Sequence, residues 1–261
     1  MVWAAIFIVV PLLLVIYYAF TDRTGAFTLA NIKQLGSYTN TMLRSIWLGL
    51  VAAVVCLIIS YPLAYIMARS SANVQRTMMV LVMLPMWMNF LIRTYSWMTI
   101  LSDTGIINTV LGKIGIGPFH MINTAGAVVL GMVYDFIPFM ILPLYSIMCK
   151  IDFSLIEAAE DLGGNKLTVF SKVVVPLSLP GVASGFTMVF VPSVSTFYIS
   201  KKLGGSTYFL IGDAIEQQFM SNYNYHLGAA LALVLMILIM LCIAVMNRFT
   251  NDEEVGGGMI V

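Results

Sequence analysis

Apolar side chains run through this chain in six long stretches, each longer than a strand and without the polar face that a soluble helix keeps. A helix rises about 1.5 Å per residue, so crossing about 30 Å of hydrocarbon takes roughly 20 apolar residues. Residues 2–20, 45–68, 77–102, 121–149, 173–200 and 227–247 meet that length. Four of these carry no charge, whereas 77–102 holds Arg93 and 121–149 holds Asp135. The pattern predicts an all-α integral membrane protein, one domain of six transmembrane helices, with both termini on the same side. The first stretch lacks a basic flank and a small-residue cleavage site before Thr21, so it reads as a retained helix rather than a signal peptide. The chain starts almost inside the membrane, which fits a basic segment having preceded it.

Composition agrees with this reading. Hydrophobic residues make up 60% of the 261 positions and charged residues 10%, at a mean hydropathy of +0.95. Soluble domains carry about 45–50% apolar and about 25% charged residues. A net charge of +1 excludes a basic nucleic-acid surface. Cys56, Cys149 and Cys242 each sit in an apolar run and read as small buried side chains, not as a disulfide framework. No phosphate-binding G-x-x-x-x-G-K-[ST] occurs, and no H-E-x-x-H, G-x-S-x-G or C-x-x-C; His120 and His226 are far apart. Lys and Arg divide six against six between the two alternate sets of loops, so the positive-inside rule leaves the orientation open. Intramembrane prolines (Pro11, Pro62, Pro85, Pro138, Pro143, Pro192) read as ordinary packing kinks or as gating points. Gly181 and Gly185 form a small-xxx-small pair that lets two helices approach closely.

The loop 150–172 is different in kind. It holds seven of the 25 charges together with an apolar stripe. Asp152 and Ser154 are candidate N-caps, residues 156–162 read as a short helix, and Gly163-Gly164 stops it. Leu167, Val169 and Phe170 begin a second amphipathic piece, and Pro176 and Pro180 frame entry to the next span. A helix, glycine turn and helix beside a membrane is either an interfacial segment or a docking surface for a soluble partner.

Within that loop, Glu157-Ala158-Ala159, then Gly163, then Val173-Val174-Val175-Pro176 resemble the EAA signature of ABC importer permeases: EAA, three residues, Gly, nine residues, Ile-x-Leu-Pro. The Glu, both Ala, the Gly and the Pro match in register; Val173 and Val175 stand for Ile and Leu. The resemblance extends over nearly the whole chain to importer permeases of the spermidine/putrescine (PotB) type. It is carried by Leu84-Pro85-Met86-Trp87, Leu91-Ile92-Arg93-Thr94-Tyr95, Pro138-Phe139-Met140 with Leu142-Pro143-Leu144-Tyr145, and Leu210-Ile211-Gly212-Asp213. It implies a type I ABC importer transmembrane domain in the bacterial cytoplasmic membrane, with both termini inside. The implied partners are ATPase subunits that hold ATP and Mg, a second homologous permease and an extracytoplasmic substrate-binding protein. This chain itself would hold no cofactor and no metal and would catalyse nothing. Glu157, Ala158, Ala159, Gly163 and Pro176 would couple it to the ATPase, and the cargo would be polyamine. Other small solutes handled by related permeases (ferric ion, thiosulfate, an opine-like amine) are the alternative.

Two other classes fit less well. A secondary transporter calls for an internal repeat and paired intramembrane carboxylates, and only Asp135 lies within a span. A membrane enzyme calls for a nucleophile–base or metal constellation, and none is visible.

For a polycationic cargo, Trp87, Tyr95, Trp97, Tyr134 and Tyr198 are candidate path-lining residues, since aromatic faces attract ammonium by about 0.5–2 kcal/mol. Aromatics also gather at bilayer interfaces without any such role. Asp135 lies near the bilayer midplane, where an ionised side chain costs about 2.5–3.5 kcal/mol and must face protein or water. It either meets passing ammonium groups or pairs with Arg93, a helical turn or two away in expected depth. Tyr134-Asp135-Phe136 departs from the apolar residues of the family pattern at this point.

Overall fold

The structure, a computed structural model, describes residue 3 and residues 5–256, without the side chains of residues 5, 153 and 246–256. The described residues fold into helices joined by turns and loops. They are α1 Val10–Ala19, α2 Ala30–Gln34, α3 Thr39–Arg69, α4 Ala72–Trp87, α5 Phe90–Leu101, α6 Ile106–Lys113, α7 Ala125–Met148, α8 Phe153–Asp161, α9 Lys166–Val169, α10 Val175–Ser195, α11 Ile211–Met220 and α12 Tyr225–Gly256.

Among these, four helices are long and apolar enough to cross a bilayer: Ala30–Arg69, Ala125–Met148, Lys166–Ser195 and Tyr225–Val245. A fifth crossing requires α4 and the segment Phe90–Lys113 together, and the chain bends by 89° between them. The first apolar stretch forms a shorter helix, Ile6–Ala19. Residues 77–102, expected as one span, are therefore two helices. Pro85 supplies no N–H near the end of α4, Met88 is extended, and the Asn89 side chain accepts the Leu91 N–H at 2.8 Å, capping a fresh start. Hydropathy is continuous across this break, so the pattern alone could not show it.

The centre is a triad, α3, α7 and α10, that packs together more extensively than any other set. Its core joins Cys56 and Ala64 of α3 with Met140 and Leu144 of α7 and Val189 and Phe190 of α10. Small residues set the spacing. A Cβ on Gly185 would lie 2.8 Å from Met140 Sδ and 3.1 Å from its carbonyl oxygen. Gly36, in contrast, faces open space. Gly185→Val is thus expected to destabilise the α7–α10 contact by about 1–3 kcal/mol, as overpacking does, while Gly36→Val stays within about 0.5 kcal/mol. Thermal unfolding of the two variants in detergent measures this; equal melting temperatures would refute the close-approach account.

The periphery is held differently. No residue of α4 is buried, and on α1 only Ala19 is. Helix α1 packs on α12, the last of the described helices. There the His226 Nδ1 lies 3.2 Å from the Tyr18 carbonyl oxygen, and the two rings meet edge-on at 5.3 Å. Large apolar side chains such as Trp47, Ile58 and Leu241 face outward. In water that would be an aggregating surface; in lipid it is the expected skin.

Candidate functional site

Two regions concentrate the chemistry, one at each end of α10. The first is the loop 150–172. Asp152 caps α8, its Oδ1 accepting the Ser154 N–H at 3.0 Å, an interaction that also holds its carboxyl below the usual range. Helix α8 ends at Asp161, and the chain reverses through Gly163 at φ +85°, a region that favours glycine. The N–H groups of Gly163 and Gly164 bond back to the carbonyls of Glu160 and Ala159 at 2.9 and 3.0 Å. Asn165 Oδ1 then caps α9, accepting the Thr168 N–H at 2.8 Å.

This loop has a small core of its own. Ile156, Val169 and Val174 are buried together, with Tyr65 of α3 and Phe170 packed against them. Phe170 meets Tyr61 and Tyr65 edge-on at 5.6 and 5.7 Å, and the Tyr61 and Ser178 hydroxyls are 2.7 Å apart. A π-helical turn, Phe170–Val174, carries α9 into α10, with Pro176 in the first turn of α10. The loop is thus anchored to both α3 and α10. Its outer face is not covered: Leu162 is 90% exposed and Leu167 79%. Glu157 and Ala158 are also exposed, and Ala159 is half-buried. Among the described residues Glu157 has no ion-pair partner.

The second region is a polar seam between α5 and α7. Arg93 Nη1 lies 2.9 Å from Asp135 Oδ1, with the side chains 8% and 3% exposed. Contact is close, yet neither atom has a well-aligned hydrogen bond, nor does Arg93 Nε. The break at Met88 explains why the two meet. Arg93 stands in the first turn of a short helix packed across α7, not deep in a straight span. Of the pathway candidates, Trp97 pairs edge-on with Tyr134 at 5.4 Å beside this ion pair. Tyr95 and Tyr198 meet at 6.2 Å, and Phe90 links Tyr198, at 5.7 Å, to the Arg93 guanidinium, at 5.9 Å. The structure thus brings Asp135, Tyr95, Trp97, Tyr134 and Tyr198 into one neighbourhood. Trp87 stands apart, 74% exposed at the end of α4.

Sequence reasoning missed Lys202. Its Nζ lies 4.9 Å from the centre of the Tyr95 ring and 5.9 Å from that of Tyr198, the position an ammonium ligand would take. The missed signal was a lysine pair directly after an apolar span.

Residues 60–251 match the family model described as "Binding-protein-dependent transport system inner membrane component". The chain is 37% identical, over 256 residues covering 94% of it and 90% of the relative, to the spermidine/putrescine transport system permease protein PotB of Haemophilus influenzae. Identity to the PotB protein of Escherichia coli strain K12 is 36% over 238 residues, 87% of this chain and 86% of that one. Among solved structures, a bacterial ABC transporter involved in import of the acidic polysaccharide alginate superposes with a TM-score of 0.77 at 16% identity, covering 96% and 92% of the two chains. The MetNI methionine ABC transporter superposes with a TM-score of 0.64 at 18% identity, over 85% and 98%.

Proposed function

This chain belongs to the family of binding-protein-dependent transport system inner membrane components, and on that premise we propose that it is the permease subunit of an ATP-driven polyamine importer. The observation that carries the cargo is its 37% identity, over nearly its full length, to a spermidine/putrescine permease. The structural neighbours carry the fold alone, since one is named for alginate and the other for methionine.

In this reading the 150–172 loop faces the cytoplasm and docks on an ATPase subunit, which holds the ATP and Mg. Both termini are then cytoplasmic. A second permease completes the pathway, and an extracytoplasmic binding protein delivers the cargo. The bare Leu162 and Leu167 and the unpaired Glu157 supply apolar area and a charge for that contact. Because Phe170 is wedged against Tyr61 and Tyr65, and the loop runs through a π-helical turn into α10, a push on the loop is transmitted to α3 and α10 together. These are two of the three central helices, so loop movement re-spaces the core and alternates access.

Uptake of radiolabelled spermidine and putrescine in cells carrying the complete transporter tests the cargo. Saturable, energy-dependent uptake in which each polyamine competes with the other is expected. Uptake of neither, with the complex assembled, would overturn the polyamine reading.

A further inference from the structure

Beyond the far end of α10, on the side opposite the coupling loop, lies a cavity of about 410 Å³. Lys201, Ser206, Asp213, Glu216, Gln217 and Ser221 are among its lining residues. Asp213 does more here than its local structure requires. Its Oδ2 accepts the Leu210 N–H at 2.8 Å and caps α11. Its Oδ1 has no well-aligned hydrogen bond, although the side chain is only 3% exposed; the nearby Ser200 hydroxyl pulls on the carboxyl but donates its proton to the Phe197 carbonyl at 3.0 Å. A buried carboxylate oxygen without a donor is costly, and folded chains seldom leave one.

The neighbours show which donor would fit. Lys201 Nζ lies 3.2 Å from both oxygens of Glu216, so one ammonium already sits at this cavity. The ionisable groups lining it are Lys201, Asp213 and Glu216. Burial pushes the Asp213 carboxyl up to about 6, against the opposing pull of the Leu210 N–H, the Ser200 hydroxyl and Lys201. Its charged form still prevails at neutral pH. Two carboxylates then face one ammonium, and one negative charge is unmatched. A metal ion is a poorer answer: among the described residues no three His, Cys, Asp or Glu side chains come together as a metal site. A primary ammonium has three N–H donors, which Asp213 Oδ1, Glu216 and a serine hydroxyl or the Gln217 amide oxygen can accept.

We propose that this cavity binds the primary ammonium end of an alkylamine, with Asp213 and Glu216 as acceptors and Lys201 as a resident competitor for the same place. The identification of that alkylamine with transported cargo rests on the polyamine reading above; the site itself does not.

The test uses the assembled permease–ATPase complex in lipid nanodiscs without the binding protein, followed by thermal unfolding. Putrescine and n-butylammonium are the probes. Tetramethylammonium, which has no N–H, is the control at equal ionic strength. Stabilisation by both probes and not by the control is expected. Asp213→Asn keeps an acceptor for the Leu210 N–H and should raise the half-saturating concentration about tenfold. Glu216→Gln acts in the same direction and spares the cap. Lys201→Gln should lower the half-saturating concentration, a gain that loss of structure cannot mimic. If n-butylammonium stabilises parent and Asp213→Asn alike, or stabilises neither, the site is refuted. If it stabilises the parent through Asp213 while cells take up no polyamine, the site stands and the cargo reading falls.

Discussion

Gly163→Pro is expected to abolish substrate-stimulated ATPase activity in the assembled importer, by well over tenfold, while the chain still inserts and is recovered at the parent level. Gly163 sits at φ +85°, and proline locks φ near −65°, so the reversal between α8 and α9 cannot form. The substitution also removes the N–H that bonds to Glu160 at 2.9 Å. Nothing lies within 4 Å of a Cβ at this position, so the damage is confined to the path of the backbone. Glu157→Ala separates shape from charge. The side chain is exposed and unpaired within this chain, so its loss should change stability by less than about 0.5 kcal/mol. If it meets a basic group in a partner cleft, the contact loses about 2–5 kcal/mol, and coupling fails with the permease intact. Unchanged ATPase stimulation in both variants would show that this loop is not the coupling element.

Asp135→Asn is expected to cut the yield and thermal stability of the assembled protein, with recovery when Arg93 is replaced by methionine in the same chain. The substitution keeps the shape of the side chain and removes its charge. Arg93 would be left as a cation 8% exposed with nothing to neutralise it, a loss of about 3–5 kcal/mol. Removing both charges relieves that penalty, so the double variant should unfold within a few degrees of the parent. Asp135→Asn with parent stability but slower polyamine uptake would instead assign the carboxylate to the passing cargo. The unaligned hydrogen bonds at the pair identify where to look: Arg93 Nε and Asp135 Oδ1 both retain capacity for another partner.

The loop 150–172 was legible because its signals are local. Asp152 and Gly163 each dictate a cap or a reversal from their own chemistry, and the structure places each where that chemistry acts, whereas the Asn165 cap of α9 was not foreseen. The broken span was not legible, because Asn89 becomes a cap only once the chain has turned, and a sequence window cannot tell a cap from a polar residue within an apolar run. Helix α11 was missed for a related reason. It is ten residues long and polar on one face, too short and too mixed for a hydropathy scan to register. The Arg93–Asp135 contact followed from the break, so the expected difference in depth between the two charges dissolved with the straight helix on which it relied. Asp213 was visible only as part of a family-like string; its unpartnered oxygen is a property of packing.

The contact between α1 and α12 has a consequence for how the molecule comes into being. About 200 residues separate them, and ribosomes extend chains at about 5–20 residues per second, so the first helix waits in lipid on the order of 10–40 s for its mate. In that interval a proline-bearing, all-apolar segment is held by its own chain mainly at its end, where the Asn31 side chain donates to the Ala19 carbonyl at 3.2 Å. The first helix is therefore paired only once α12 has been made, and a message cut short anywhere ahead of α12 leaves it an orphan for the membrane's quality-control proteases.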